Sequence, residues 1–140
     1  MNESKIIIDS NYFLGLSLED NTLREQCLAV AEKINQPGYL LYISHYILLE
    51  VLTILKLRKS LSVVKQMTRN LLSPEFNFIQ TSPKLDQQTL EFFLEEGSQK
   101  LSYIDASIIV TMRREGIGSL ITFDQALAKV AAKKGFQVLS

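Results

Sequence analysis

Short apolar runs alternate with longer mixed segments along the whole chain. The first run, Ile6-Ile7-Ile8, is entirely β-branched, a composition typical of a central parallel strand that is covered on both faces. Further short apolar runs lie at 39–43, 119–122 and 136–139, with a weaker one at 76–80. Their length and spacing predict five strands separated by helices.

Helix-start and helix-stop residues bound the segments between these runs. Thr22 and Glu25 are spaced as a capping box, as are Ser102 and Asp105, and Ser82-Pro83 is a good helix start. A short helical or turn segment is expected at 12–16. Longer helices are expected at about 22–35, 45–59, 60–73, 83–97, 102–114 and 124–134.

The regular alternation of strands and helices predicts an α/β fold. Parallel strands would be joined by right-handed crossovers in a three-layer α/β/α domain. The chain of 140 residues carries no internal repeat, low-complexity segment or linker, so we expect a single domain over 1–140.

Charge and cysteine content limit the kinds of function and cellular compartment that fit the sequence. Fifteen acidic residues balance fifteen Lys and Arg residues, which argues against strong non-specific nucleic-acid binding but allows a local basic patch. The one cysteine, Cys27, has helical core spacing with Val30 and Ile34 and is expected to be a packed apolar residue. This cysteine usage fits a reducing cytoplasm.

Residues 39–57 form the longest apolar stretch. Glu50 lies near its centre, where a charged side chain costs about 2.5–3.5 kcal/mol on insertion scales. The stretch also divides naturally into a strand, a helix cap at Ser44 and a helix. We therefore expect no membrane span, and no signal peptide before Ile6.

Two acids follow predicted strands directly. Asp9 ends the first strand, and Asp124 comes just after the fourth. Each is explained by a helix cap alone. If these strands are neighbours, however, both carboxylates lie at the carboxyl edge of the sheet, where open α/β folds bind ligands.

Two more acids lie in apolar surroundings. Glu50 is flanked by Leu49 and Val51 in a helix with no clearly polar face, where a lone Glu must be paired, protonated, bound to a metal or exposed at the helix edge. Asp105 is a first-turn acid that the helix dipole would favour in any case. Four acids converging without His or Cys favour Mg²⁺ or Mn²⁺ over Zn²⁺.

The chain resembles PIN-domain nucleases, and in size the toxin ribonucleases (VapC-like) of toxin–antitoxin pairs. The resemblance rests on four segments in the order of the family, which are Ile-Ile-Ile-Asp-Ser-Asn at 6–11, Ser-His-Tyr-Ile-Leu-Leu-Glu-Val at 44–51, Leu-Ser-Tyr-Ile-Asp-Ala-Ser-Ile at 101–108 and Leu-Ile-Thr-Phe-Asp at 120–124. It implies a five-stranded parallel sheet of order 3-2-1-4-5.

The resemblance also implies a function and a set of site residues. It implies hydrolysis of RNA phosphodiester bonds with one or two Mg²⁺ or Mn²⁺ ions, leaving 5′-phosphate and 3′-hydroxyl products. The catalytic and metal-binding residues would be Asp9, Glu50, Asp105 and Asp124, supported by Asn11 and Thr122. After Asp124 the chain lacks the further acid that many relatives carry, which implies a weaker second ion.

An antitoxin protein and a homodimer are the implied partners. Apolar residues at 12–16 either belong to the core or line a groove for an antitoxin helix. Cations around one helix–helix junction are the best candidates for an RNA backbone track, namely Lys56, Arg58, Lys59, Lys65 and Arg69. The cations Arg113, Arg114, Lys129, Lys133 and Lys134 have the positions of ordinary helix-end charges.

Two other functions fit parts of this pattern. A non-catalytic PIN-like domain that only binds RNA or protein would keep the fold and lose metal binding. A phosphoacceptor signalling domain would use Asp9, but it would want further acids beside that residue and a Lys after a late strand. Asn11 and Thr122-Phe123-Asp124 fit this alternative poorly.

Overall fold

The apolar run near the amino end forms the central strand of a parallel sheet. The computed structural model describes residues 2–140, in which five strands and seven helices follow one another. The strands are β1 (Asn2–Ile8), β2 (Leu40–Ser44), β3 (Asn77–Ile79), β4 (Ile117–Ile121) and β5 (Gln137–Leu139). The helices are α1 (Ser10–Ser17), α2 (Arg24–Ile34), α3 (His45–Arg58), α4 (Leu61–Leu71), α5 (Pro83–Glu95), α6 (Tyr103–Glu115) and α7 (Gln125–Lys133).

The strand order is β3-β2-β1-β4-β5, and all pairs are parallel, as predicted. Ile6 lies opposite Leu41 of β2, and Ile8 lies opposite Ile121 of β4. Strand order therefore reverses at β1, with β1 and β4 side by side. Flavodoxin-like signalling domains have the order 2-1-3-4-5, so the phosphoacceptor alternative is wrong at the level of topology.

The core is built on the two central strands. Ile6, Ile7 and Ile8 are fully buried, and all five residues of β4 are buried. β-branched side chains pack well on a pleated surface that helices cover on both sides. α1 packs against α2 and α3, and α5 packs against α6, which gives the α/β/α layers predicted from the alternation.

Most predicted helix starts are confirmed. The side chains of Ser44, Ser82 and Asp124 accept hydrogen bonds from first-turn amides, and Ser102 with Asp105 forms a complete capping box. The capping box predicted at Thr22 is wrong. α2 begins at Arg24 without a side-chain cap, because Asn21 Oδ1 instead accepts from the Leu23 amide at 2.8 Å in a turn.

The long apolar stretch divides into β2 and α3, as predicted. No helix among residues 2–140 combines the length and apolar character needed to cross a membrane. The absence of a clearly polar face predicts that α3 is buried on most sides, and this prediction is wrong, since Leu49 is 49% and Leu57 is 81% exposed. One face of α3 packs on the core through Ile47, Val51 and other apolar residues, while the opposite face stays open.

Candidate active site

The four acids predicted as site residues line one cleft at the carboxyl edge of the central strands. The cleft has a volume of about 620 Å³ and is bounded by the ends of β1 and β4 and by α3 and α6. Asp9 directly follows β1, Asp124 lies beyond β4, and Glu50 and Asp105 project from α3 and α6. Asn11 also lines the cleft. The topology thus brings together acids that are far apart in sequence.

Asp9 is the most constrained of the four. Its carboxylate accepts from the Ser10 amide at 2.8 Å, which caps α1, and from the Thr122 hydroxyl at 2.7 Å. The side chain is 5% exposed. Burial raises the pKa of Asp9 to about 6, although both hydrogen bonds oppose the rise and the charges of Asp105 and Glu50 add to it. Ionisation of Asp9 therefore lowers the stability of the folded protein.

Glu50 lies halfway along α3 and is partly buried. Burial raises the pKa of Glu50, and the nearby charge of Asp105 raises it further, while a hydrogen bond from the Ser10 side chain lowers it. No described cation forms a salt bridge with Glu50. Of the interpretations left open by the sequence, a structural ion pair is therefore excluded.

Asp105 and Asp124 each use one carboxylate oxygen for a helix cap. Asp105 Oδ2 accepts from the Ser102 amide at 3.0 Å, and Asp124 Oδ1 accepts from the Leu127 amide at 3.0 Å. Burial, followed by the charge of Asp124, raises the pKa of Asp105 despite the contacts with Ser102. Each acid can therefore cap its helix and still contribute to the site, because its second carboxylate oxygen is not used by the cap.

The four acids line the same cleft, but their side chains are not arranged as a preformed metal site. Among residues 2–140, no group of three or more acidic, His or Cys side chains is spaced to hold a metal as it stands. A second feature of the cleft is the side-chain oxygen of Asn11, which is buried and accepts no hydrogen bond. A buried acceptor without a donor is costly, and a cation or ordered water would satisfy it.

Comparison with known proteins assigns this arrangement to a family. Residues 6–133 match the PIN domain. The chain belongs to the PIN domain family. No curated protein sequence is significantly similar to this PIN domain.

Solved structures with the same fold are distant in sequence. Mycobacterium tuberculosis VapC20, described as a Sarcin-Ricin loop cleaving toxin, is 18% identical with a TM-score of 0.79, covering 89% of this chain and 94% of its own. FitAcB from Neisseria gonorrhoeae is 15% identical with a TM-score of 0.67, covering 96% of each chain. VapBC2 from Rickettsia felis, bound to a promoter DNA fragment, is 17% identical with a TM-score of 0.64 and also covers 96% of each.

Three polar residues of the cleft were not singled out from the sequence. The Ser10 amide donates to Asp9 and the Ser10 side chain lies near Glu50, while Lys100 and Tyr103 also line the cleft. Ser10 directly follows Asp9 at the end of the first strand, and this position is the signal by which the sequence could have identified it. Lys100 and Tyr103 precede or begin α6, and only the folded chain places that helix start over the acids.

The cations predicted to bind RNA lie elsewhere on the PIN domain. None of Lys56, Arg58, Lys59, Lys65 and Arg69 lines the acidic cleft. Arg58 is about 12 Å of helix rise beyond Glu50 and pairs with Asp20 at 3.1 Å. The single histidine, His45, lies at the start of α3 and contacts Gln80 and the ring of Phe78 outside the cleft.

Proposed function

We propose that this PIN domain is a metal-dependent endoribonuclease that hydrolyses RNA phosphodiester bonds, acting as the toxin of a toxin–antitoxin pair. The observation that carries the proposal is the convergence of Asp9, Glu50, Asp105 and Asp124 on one cleft, with burial raising the pKa of the first three. Perturbed acids in a cleft are typical of functional sites.

The chemistry of the cleft fits a hard divalent cation. Its possible ligands are carboxylate, amide and hydroxyl oxygens, with neither His nor Cys in the lining of the described cleft, which favours Mg²⁺ or Mn²⁺. Asp9 and Asp124 would hold the principal ion, with Glu50 and Asp105 completing its shell. Asn11, whose buried side-chain oxygen has no hydrogen-bond donor, also lines the cleft and supports this assignment. A bound cation would also relieve the repulsion among the acids.

The residues of the chain prepare the site in distinct ways. When present, the divalent ion supplies Lewis-acid stabilisation of the phosphate and activates the attacking water. Thr122 orients Asp9 through its hydroxyl, and the Ser10 amide donates a second hydrogen bond to Asp9. Lys100 places a positive charge in the lining of the cleft, where it would attract a phosphate group. Raised carboxyl pKa values mean that ion uptake should release protons and strengthen as pH rises.

Cleavage of a mixed RNA pool tests the assignment. Wild-type protein should cleave with Mn²⁺ or Mg²⁺ and not with EDTA, and Asp9→Asn should lose the activity. Asp20→Asn is the matched control, because Asp20 is an exposed Asp outside the acidic cleft. Equal cleavage by wild type and Asp9→Asn would contradict the proposal.

The alternative is a non-catalytic PIN-like domain that binds RNA or protein. Such a domain would bind RNA or protein without metal-dependent cleavage, and Asp9→Asn would not change its binding. The buried acids support the catalytic proposal over this one, since a binding surface alone gains nothing from carboxylates whose ionisation is penalised by burial.

The proposed protein partners are an antitoxin and a second copy of the chain. Support comes from exposed leucines on α3 and at the start of α4, namely Leu49, Leu57 and Leu61, which leave apolar surface open for a partner. Co-expression with the product of an adjacent reading frame should yield a complex that suppresses cleavage, and sedimentation of the free chain should show a dimer. A monomer that no neighbouring product inhibits would contradict these assignments.

A further inference from the structure

A second cavity lies beside the acidic cleft and is lined by lysines. Its volume is about 540 Å³, and it is formed by the segment between α5 and α6 and by one face of α7. Lys100 comes from the connecting segment, and Lys129 and Lys133 come from α7. Gln125 and Ser98 add further hydrogen-bonding groups to the same lining.

This cavity adjoins the candidate active site, because Lys100 lines both. Gln125 follows Asp124 directly, and Gln125, Lys129 and Lys133 are four residues apart along α7, so they share one face of the helix. Each step of four residues advances about 6 Å along the axis, comparable with the separation of neighbouring phosphates on a nucleic-acid strand. The lysines thus form a row that leads away from the acids.

The positive charge of this row is free to act on a ligand. Among residues 2–140 the salt bridges are Arg58–Asp20 and Lys134–Glu96, and neither uses Lys100, Lys129 or Lys133. Glu96 is the only acid in the described lining of the cavity, and its partner at 3.8 Å is Lys134. In contrast, one of the cations predicted from sequence to bind RNA, Arg58, is already paired with an acid.

We propose that Lys100, Lys129 and Lys133 bind the phosphate backbone of single-stranded RNA next to the bond that is cut, so that the strand runs along α7 into the acidic cleft. This inference rests on the proposed nuclease function and names how its substrate is held. Lysines act as point charges towards phosphate and carry no base information, so the track is independent of sequence. It places the nucleic acid on the α7 side of the cleft and not on α3 and α4.

The test compares two triple variants with the same change in charge. One is Lys100→Ala, Lys129→Ala and Lys133→Ala; the control is Lys56→Ala, Lys59→Ala and Lys65→Ala, from the surface predicted by sequence alone. Both are made in an Asp9→Asn background, and circular dichroism checks folding. Binding of a short fluorescein-labelled single-stranded RNA of mixed sequence is measured in EDTA over a range of salt concentrations, with poly-glutamate as competitor.

The first variant should bind RNA more weakly, and its plot of log affinity against log salt should flatten by about 2, since each phosphate contact contributes about 0.7 on a single strand. The control should keep the slope of the parent. Equal slopes in the two variants would overturn the inference. It would also be overturned if replacing the three lysines changed the competition by poly-glutamate but left RNA binding unchanged. No cleavage step is needed, so failure of the nuclease proposal is detected separately, in the metal-dependent assay.

Discussion

The hydroxyl of Thr122 donates a hydrogen bond of 2.7 Å to Asp9 Oδ2 across the boundary between β1 and β4. The same hydroxyl oxygen accepts from the Asp124 amide at 3.1 Å. One buried side chain therefore positions two acids that come from neighbouring strand ends. It favours the charged form of Asp9 in a place where burial disfavours it.

Thr122→Val should weaken the site without removing any acid. Loss of the hydroxyl raises the pKa of Asp9 further, so the acid limb of the cleavage–pH profile should move to higher pH. At neutral pH the metal-free protein should lose about 1.5–3 kcal/mol of stability, the usual worth of a hydrogen bond to a charged group. Cleavage–pH profiles and denaturant unfolding measure the two effects.

Thr122→Ser is the matched control for that substitution. It keeps the hydroxyl and should retain most of the wild-type pH profile. If Thr122→Val and Thr122→Ser shift the profile equally, the hydroxyl does not position Asp9 and the effect comes from packing.

The metal-free protein should lose stability as pH rises from about 4 to 7. Burial raises the pKa of Asp9 from an ordinary 3.8 to about 6, so the folded state binds this proton more tightly than the unfolded state. The associated stability is fully present below pH 3.8 and is lost as pH rises through about 6. The loss is on the order of 3 kcal/mol, at 1.36 kcal/mol per pH unit.

Asp9→Asn should flatten this dependence, which urea unfolding in EDTA at several pH values will show. The raised pKa values of Glu50 and Asp105 have the same sign and leave a residual slope. A slope that is unchanged in Asp9→Asn would show that Asp9 is charged at no cost in the folded protein. Addition of Mn²⁺ at pH 7 should restabilise wild type by about 2.7 kcal/mol at a concentration 100 times Kd, and Asp9→Asn by less.

Glu50→Gln should preserve or raise the melting temperature of the metal-free protein at neutral pH while abolishing cleavage. The substitution removes a charge that burial and the nearby charge of Asp105 disfavour. Glu91→Gln on the exposed surface of α5 is the control and should be neutral in both assays. A large drop in melting temperature for Glu50→Gln alone would mark Glu50 as a structural residue.

Gly15→Ala should destabilise the contact between α1 and α2. A Cβ at Gly15 would clash with Cys27 Sγ, so the Cys27 side chain must turn away or the helices must move apart, at a cost of about 1–3 kcal/mol. Gly97→Ala, with no atom within 4 Å of its added Cβ, is the control. In a Cys27→Ala background the cost of Gly15→Ala should shrink, and additive costs in a double-mutant cycle would contradict the contact.

Local signals predicted much of the architecture. Ile6-Ile7-Ile8 is recognisable as a buried strand because consecutive apolar residues put apolar side chains on both faces of the sheet. Ser82-Pro83 and Ser102 with Asp105 start helices because their hydrogen bonds lie within one turn. The error at Thr22 has the same origin, since Asn21 forms an equally local bond with the Leu23 amide, and the chain there makes a turn before α2 begins at Arg24.

The acids themselves were predictable, but their surroundings were not. Asp9 and Asp124 follow strands, and Glu50 stands out in an apolar helix, so each leaves a trace in the sequence. The positions of Lys100 and Tyr103 over the cleft, and the open face of α3, depend on how helices dock on the sheet. No short-range pattern encodes that docking.

The sequence by itself determined the α/β alternation, the helix caps and the identity of the four acids, because these depend on residues within one strand or one turn. The tertiary structure alone decided that Thr122 holds Asp9, that Asn11 lacks a donor, and that three lysines lie beside the acids. Those relations join residues as many as 113 positions apart, and they exist only because parallel strands bring their carboxyl ends to one edge.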